Sequence, residues 1–470
     1  MSQHTVEKIG GTSMSQFGVM LKNIIIGNRT GDALYQRILV VSAYAGVTDL
    51  LLEHKKSGQP GVYAKYAAGS ADWEAALAQV RQKLLELNKS FAHLGLDLDR
   101  ADRFVNERLD GIRDCLRDLR RVCSYGHVQL EEQLPAVREM LAAIGEAHSA
   151  FNSVLILKEK GVNAVFVDLT GWMDERNLPF DEKIREAFAA VDLAHELPIV
   201  TGYTKCKEGI MGTFDRGYSE ITFSKIAVLT QAREGVIHKE FHLSSSDPKL
   251  VGADRVKPIG FTSFDVADQL ADLGMEAIHP KASKGMENQG IPIRVTNAFD
   301  PGHPGTLITK DFRSESPRVE MVTGCRNILA IELWDPDMVG EAGFDYRLLS
   351  YFKKHGISYI AKNTNANTIT HYVMANAKRL DECLADLKAG FPGADLRVVK
   401  VALVAAIGTN MKVPGFLARA ATALARANIN ILAVGHCLRQ VNMQFIVEEK
   451  SFEGAVRALH AALVEEPVGK

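Results

Sequence analysis

Lys8-Ile9-Gly10-Gly11-Thr12-Ser13 sets a positive charge beside a tight glycine turn, seven residues into the chain. Val6 precedes the turn as part of a short strand, and Phe17 to Ile26 supplies apolar residues that fall on one helical face. The context is strand, glycine loop, helix. Glycines let the backbone approach an anion, successive N–H groups point at phosphate oxygens, and a helix start adds partial positive charge. Lys8 contributes a mobile point charge. The order differs from the Walker A loop, where the lysine follows a spaced glycine pair, and from the dinucleotide fingerprint. Taken alone, the stretch also fits an ordinary turn.

Working outward, short apolar runs at Arg37 to Val41, Val162 to Val167, Leu197 to Val200 and Gly235 to His238 alternate with helical stretches as far as about Pro258. That alternation predicts an α/β domain around a central, mostly parallel sheet. From Ala71 to Arg121 the chain is rich in Leu, Ala, Arg, Lys and Glu without strand signals, which predicts a helical subdomain over about 71–135. Its arginines, such as Arg100, Arg103 and Arg108, are interleaved with acids and read as a solvated face. Pro301 to Pro317 reads as the exit from the first domain.

Beyond that exit lies an internal repeat. Gly343-Phe344 aligns with Gly415-Phe416 at a shift of 415 − 343 = 72 residues, and the same shift puts Ile357 on Ile429, Ile369 on Val441, Val373 on Phe445 and Leu387 on Leu459. Each copy reads as a βαββαβ unit of ferredoxin-like type. The exposed sheet edges of such a pair predict a homodimer or higher homo-oligomer.

The 470 residues suit two or three domains. A formal charge of −2 gives no electrostatic reason to expect nucleic acid or a membrane surface as partner, so small-molecule chemistry is the expectation. Six scattered cysteines (Cys115, Cys123, Cys206, Cys325, Cys383, Cys437) lack paired metal or redox spacing and read as reduced, mostly buried thiols; no protein-held metal is expected. There is no basic leader with an apolar core, and no apolar run approaches the roughly 20 residues that span a bilayer. A cytoplasmic location is expected.

A second glycine-rich stretch starts at Thr201-Gly202-Tyr203 and ends in Thr213-Phe214-Asp215-Arg216-Gly217-Tyr218-Ser219-Glu220, again leading into a helical segment. The planar fork of Arg216 suits a substrate carboxylate. With Ser42-Ala43-Tyr44-Ala45-Gly46-Val47-Thr48, Gly145-Glu146, Ser246-Asp247-Pro248 and His279-Pro280, the chain resembles the aspartate kinases over nearly its whole length. These are amino-acid kinases with two C-terminal ACT regulatory domains.

The resemblance implies an amino-acid kinase fold over 1–315, ACT domains over 316–395 and 396–470, and phosphoryl transfer from Mg-ATP to the side-chain carboxylate of L-aspartate. It implies Lys8 on the transferring phosphoryl group, Gly10 and Gly11 as backbone donors, and Glu220 in the catalytic set. For aspartate it implies Arg216, Glu146, Ser42, Thr48 and Ser219; for ATP, Lys8, Gly10, Gly11, Lys239, Glu240, Asp247, Lys249 and Glu276. Amino-acid effectors of the family point to Met338, Gly343, Phe344, Asn365 and Asn367. An aspartate carboxylate is already ionised at neutral pH, so positioning and charge neutralisation carry the catalysis rather than a general base.

Departures from the family pattern are specific. Glu220 stands where aspartate is usual, Tyr218 replaces a glycine, Lys239-Glu240 replaces Thr-Asp, and Glu276 replaces a lysine. Lys239, Lys249 or Lys281 is then expected to supply the missing cation. These departures look like the aspartate kinases associated with ectoine biosynthesis. Two other readings fit the sequence: a kinase of another amino acid or nucleotide, and an ACT amino-acid sensor with a degenerate kinase domain. His279 reads as structural.

Overall fold

The structure, a computed structural model, describes residues 3–55, 57–214, 217–273 and 278–465. It divides into two compact units, Met1–His242 with Ile278–Thr309, and Leu243–Ala277 with Lys310–Lys470. The first exit from the kinase-like part thus comes at residue 243, well before the proline-rich stretch, and the chain returns at 278. No local signal marks that excursion, because its apolar residues are chosen for packing against sequence more than 50 residues further on.

In the first unit the strands are β1 (Thr5–Ile9), β2 (Arg37–Val41), β3 (Ala164–Val167), β4 (Leu197–Thr201), β5 (Glu234–Lys239), β7 (Ile293–Asn297) and β8 (Thr306–Thr309); β6 (Phe261–Ser263) belongs to the second unit. The first unit's sheet runs in the order β3-β4-β2-β1-β5-β7-β8. All pairs are parallel except β7 with β8. Every residue of β2 and of β4 is buried, which is why Ile38 to Val41 and Leu197 to Val200 read as continuous apolar runs rather than alternating ones.

Beneath this sheet a buried ion pair ties three strands together. Arg37 donates to both oxygens of Glu7 at 2.7 and 2.8 Å and to the Ile24 and Ile25 carbonyls, while His238 Nε2 meets Glu7 Oε2 at 3.0 Å.

The expected helical subdomain is present as Trp73–Phe91 and Leu98–Cys123. Trp73, Leu77, Val80 and Leu84 form the buried stripe of the first, and the Asp97 carboxylate caps the second by accepting from the Arg100 amide. A third helix, Leu130–Glu159, starts inside the same window but enters the core of the unit. By length and composition alone it could cross a membrane, yet 89% of its most apolar window is buried inside the protein, as in the core helix of a globular unit. Gly145-Glu146 therefore lies mid-helix, not at a helix start.

The helix expected over Phe17 to Ile26 is broken into Gly11–Met14, Phe17–Met20 and a π-type turn Leu21–Ile25, with Gln16 off helical geometry between the first two. Only one short turn follows the glycine loop, so backbone amides rather than a long helix dipole characterise it.

The second unit carries β9 (Arg318–Trp334), β10 (Tyr359–Thr364), β11 (Thr368–Met374), β12 (Asp395–Thr409), β13 (Ala433–Gly435) and β14 (Asn442–Glu448), in the order β10-β11-β9-β12-β14-β13. The pairings are antiparallel. The 72-residue repeat is visible in the helices: Phe344–Lys354 matches Phe416–Arg426, and Leu380–Gly390 matches Phe452–His460. Gly343 (φ +84°) and Gly415 (φ +102°) start the first pair in the left-handed region, which explains the repeated Gly-Phe. Both phenylalanines are buried beneath their helices.

The long strands β9 and β12 serve both copies. The β9 half Ile328–Trp334 pairs with β11 and with β12 from Asp395 to Val401, while the β9 half Arg318–Cys325 pairs with Leu403–Thr409, which belong to the second copy. The helices cover one sheet face; Val266 and Leu270 of helix Phe264–Asp272 pack on Met321, Leu403 and Ile446 of the other. The cysteines are free, but only Cys206 and Cys383 are buried, while Cys115 and Cys437 are exposed.

Candidate active site

The carboxyl ends of parallel strands gather loops that no ladder hydrogen bond restrains, and ligands of α/β sheets bind there. In this chain Lys8 and the glycine loop close β1, Ser42 follows β2, Gly202 follows β4, and Lys239-Glu240 closes β5. The adjacent strands β4-β2-β1-β5 thus bring together residues from four distant stretches of sequence.

Helix Tyr218–Leu229 presents Ser219 and Glu220 at its start. Glu220 Oε1 lies 3.8 Å from Lys8 Nζ and 3.5 Å from Lys239 Nζ, and its Oε2 accepts from the His279 amide at 2.6 Å. Two ammonium groups thus converge on one carboxylate oxygen. Burial would raise the Glu220 carboxyl, but Lys8, Lys239 and the His279 amide together hold it below its ordinary value. Burial pulls Lys8 below the ordinary lysine value; Glu220 opposes, Lys239 adds to the lowering, and Glu146 and Glu240 oppose.

Glu146 approaches from the buried helix Leu130–Glu159. Burial drives its carboxyl well above the usual range, against the pull of Lys8 and of the Tyr203 and Ala43 amides. Among the described residues its Oε2 has no hydrogen-bond partner. Ser42 Oγ faces Ser219 Oγ at 3.4 Å, and the Ser149 hydroxyl donates to the Ser42 carbonyl at 2.8 Å. Thr48 sits half-buried in the short helix Val47–Leu51 that follows the Ser42 loop.

The glycines are required by close approach. A Cβ on Gly11 would lie 2.5 Å from the Ala43 carbonyl oxygen; one on Gly202 would lie 2.7 Å from Ser219 Cβ and 3.1 Å from Glu146 Oε1. Gly202 and the buried Ser13, whose hydroxyl donates to Glu240 Oε1 at 3.1 Å, are site residues that the sequence reading did not assign. Both belong to the glycine-rich stretches of the sequence, but nothing local gives Ser13 its role, since its partner is 227 residues away.

Other expected residues fall elsewhere. Arg216 and Glu276 lie outside the described residues. Asp247 and Lys249 belong to the second unit, where the Asp247 carboxylate accepts from the Lys249 amide as a helix cap. Lys281 donates from its backbone amide to His279 Nδ1 and from Nζ to the Thr213 carbonyl. His279, read from the sequence as structural, caps helix Pro280–Asn288 by accepting from the Lys281 amide.

The effector set does not converge. Met338 and Phe344 are buried in the helix-side core with Ile331 and Leu333. Asn365 lines a cavity of about 510 Å³ together with Ala330, Glu332 and Thr370, which alternation places on the opposite sheet face. Asn367 is spent on the β10–β11 turn, its amide donating to Asn365 Oδ1 at 3.1 Å. Gly343 serves as the left-handed start of its helix.

The family model of the amino acid kinase family matches residues 3–297, and that of the ACT domain matches residues 404–463. Aspartate kinase Ask_Ect of Stutzerimonas stutzeri is 51% identical over 98% of this chain and 98% of its own length. Escherichia coli aspartokinase III in complex with lysine and aspartate superposes with a TM-score of 0.73 at 21% identity, covering 98% of this chain and 99% of that one. The same enzyme with aspartate and ADP gives 0.71 at 22% identity, covering 99% of this chain and 100% of that one. These two likenesses speak for the fold, while the sequence match carries the kinship: the chain belongs to the amino acid kinase family, among its aspartate kinases.

Proposed function

We infer that this protein transfers the γ-phosphoryl group of ATP to the side-chain carboxylate of L-aspartate, giving 4-phospho-L-aspartate and ADP. The observation that carries the reading is the convergence of Lys8 and Lys239 on Glu220 Oε1, beside a glycine loop and a buried Glu146. The two lysines neutralise charge on the phosphoryl group in flight, and Glu220 holds them as a positioning residue. Gly10 and Gly11 offer backbone donors. Glu146 receives the aspartate ammonium, Ser42, Ser219 and Thr48 offer hydrogen bonds near the acceptor, and Arg216 takes the α-carboxylate.

Lys239 is the best supported of the three candidate cations, since it alone is seen on Glu220. Magnesium bound with ATP would supply charge neutralisation on the phosphates. Asp247, Lys249 and Glu276 remain further candidate nucleotide contacts. The reading extends to a cytoplasmic enzyme at the entry to aspartate-derived biosynthesis, with the ectoine branch favoured by the likeness to Ask_Ect. It also extends to an amino-acid effector on the ACT pair and to a homo-oligomer formed through the edge strands β10 and β13.

The deciding experiment incubates purified protein with Mg-ATP and L-aspartate, L-glutamate or N-acetyl-L-glutamate and traps acyl phosphate with hydroxylamine. Aspartyl hydroxamate is the expected product. Lys8→Ala is expected to abolish it while the far-UV circular dichroism stays unchanged; near-normal turnover would remove Lys8 from the mechanism.

A further inference from the structure

Glu240 places a negative charge where the proposed chemistry needs positive charge. Its Oε1 accepts from the Ser13 hydroxyl, and a methyl group built on Gly10 would stand 3.8 Å from that oxygen and 3.8 Å from Lys8 Nζ. The carboxylate therefore overhangs the loop that is to cradle phosphate, next to the lysine that is to neutralise it. Ser13 is fully buried and Glu240 half-buried, so packing fixes one end of this pair while the other faces the site. A polyphosphate entering here meets a like charge in a partly desolvated space, where screening is poor. Either Glu240 leaves, or a cation comes between.

The donor chemistry favours the cation. Mg²⁺ takes oxygen ligands, keeps several waters, and is held by one or two carboxylates plus substrate phosphates rather than by an all-protein cage. Among the described residues no group of three or more His, Cys, Asp or Glu side chains is placed to hold a metal by itself, so the ion has to come with the nucleotide. Glu220 is committed to two lysines and the His279 amide, and Glu146, whose Oε2 has no hydrogen-bond partner among the described residues, is taken by the substrate ammonium in the kinase reading. Among the described acids of the site, Glu240 is then the one left to meet a metal.

We propose that Glu240 is the protein ligand of the divalent ion carried by ATP, with the Ser13 hydroxyl holding its carboxylate toward the glycine loop. This rests on the kinase reading above and goes beyond it, since that reading needs no protein ligand on the ion. The lysine–glutamate pair at the end of β5 then divides the work: Lys239 meets the phosphate, Glu240 meets its counter-ion.

The test titrates Mn²⁺ into the full-length protein saturated with a non-hydrolysable ATP analogue and reads bound metal by electron paramagnetic resonance. Glu240→Gln is expected to weaken Mn²⁺ about tenfold or more, on the order of the loss seen when support for a metal ligand is removed. Glu240→Asp keeps the carboxylate one methylene short and is expected to fall between. Unchanged Mn²⁺ affinity in Glu240→Gln overturns the proposal. So does tighter analogue binding with unchanged metal affinity, which marks Glu240 as a stopper that leaves when ATP enters. Circular dichroism checks the fold; if Glu240→Gln is unfolded, Glu240→Asp and Ser13→Ala are read by the same criterion. Wild-type hydroxamate formation separates the two levels. Its presence with metal-indifferent variants removes only the metal ligand, whereas its absence removes the kinase reading and this inference together.

Discussion

Gly202→Ala probes the acceptor side of the site without removing any functional group. The added methyl would lie 2.7 Å from Ser219 Cβ, 3.0 Å from the Val41 carbonyl oxygen and 3.1 Å from Glu146 Oε1. Reaching an ordinary 3.4 Å contact requires 3.4 − 2.7 = 0.7 Å of retreat by Ser219 and 3.4 − 3.1 = 0.3 Å by Glu146. The Val41 carbonyl lies in a fully buried strand and cannot yield, so the side chains do. Overpacking of this kind costs about 1–3 kcal/mol of stability. Displacement of positioning groups by somewhat less than 1 Å is expected to lower kcat/KM for aspartate by roughly 10- to 100-fold. The KM for ATP is expected to stay within about twofold, because the atoms nearest the methyl belong to Ser219, Val41 and Glu146 rather than to a lysine or the glycine loop. Steady-state kinetics with each substrate varied in turn measures the split. Wild-type kcat/KM for aspartate, or a loss confined to ATP, would refute the placement of Glu146 and Ser219 on the acceptor side.

Three further outcomes follow from the buried charges. Glu7→Gln leaves Arg37 buried without its anion and is expected to cost about 3–5 kcal/mol at neutral pH by denaturant titration. Burial would raise the Glu7 carboxyl, but Arg37 and His238 hold it well below its ordinary value. Its stabilisation is therefore present above the unfolded pKa of about 4.3 and is lost as pH falls toward the folded value; an acid limb identical in wild type and Glu7→Gln would contradict this. Burial holds Glu146 well above the usual range, so aspartate binding is expected to strengthen as pH rises through that raised pKa and Glu146 ionises. Glu146→Gln should raise the KM for aspartate and flatten that rise, and an unaltered pH profile would exclude Glu146 from ammonium recognition. Lys239→Ala should lower kcat more than Lys249→Ala or Lys281→Ala under saturating Mg-ATP, and equal effects would dissolve the pairing with Lys8 on Glu220.

The parts of the fold legible in the sequence were those that leave a local signature. Arg37 to Val41 is a buried parallel strand and shows it by the unbroken apolar run Ile38 to Val41. Gly343 and Gly415 show the repeat because a left-handed helix start selects glycine twice at the same spacing. Helix Leu130–Glu159 was only partly legible, since burial on all sides erases the amphipathic period and Gly145 mimics a boundary. The residues of the site were legible one by one through Lys8, Glu146 and Glu220, but their meetings were not. Glu240 finds Ser13 because β1 and β5 are neighbours in the sheet, and Lys239 finds Glu220 because helix Tyr218–Leu229 packs on both strands. The effector residues failed to converge because alternation along β9 puts Ile331 and Leu333, which pack with Phe344, on one face and Ala330 and Glu332, which line the cavity with Asn365, on the other.

The sharing of β9 and β12 makes the C-terminal pair a single cassette rather than two beads. A cut at residue 395 passes through the start of β12 and strips the first copy of its last strand while leaving the second without the β9 half that closes its sheet. Chimaeras that exchange regulatory character between relatives therefore have to transplant both copies as one piece. Between the two halves of β9 the regular strand geometry is interrupted at Asn327, whose backbone is left-handed at φ +60°, and the pairing with β12 shifts register between Val401 and Leu403, so the copies share covalent strands that bend where one copy meets the other.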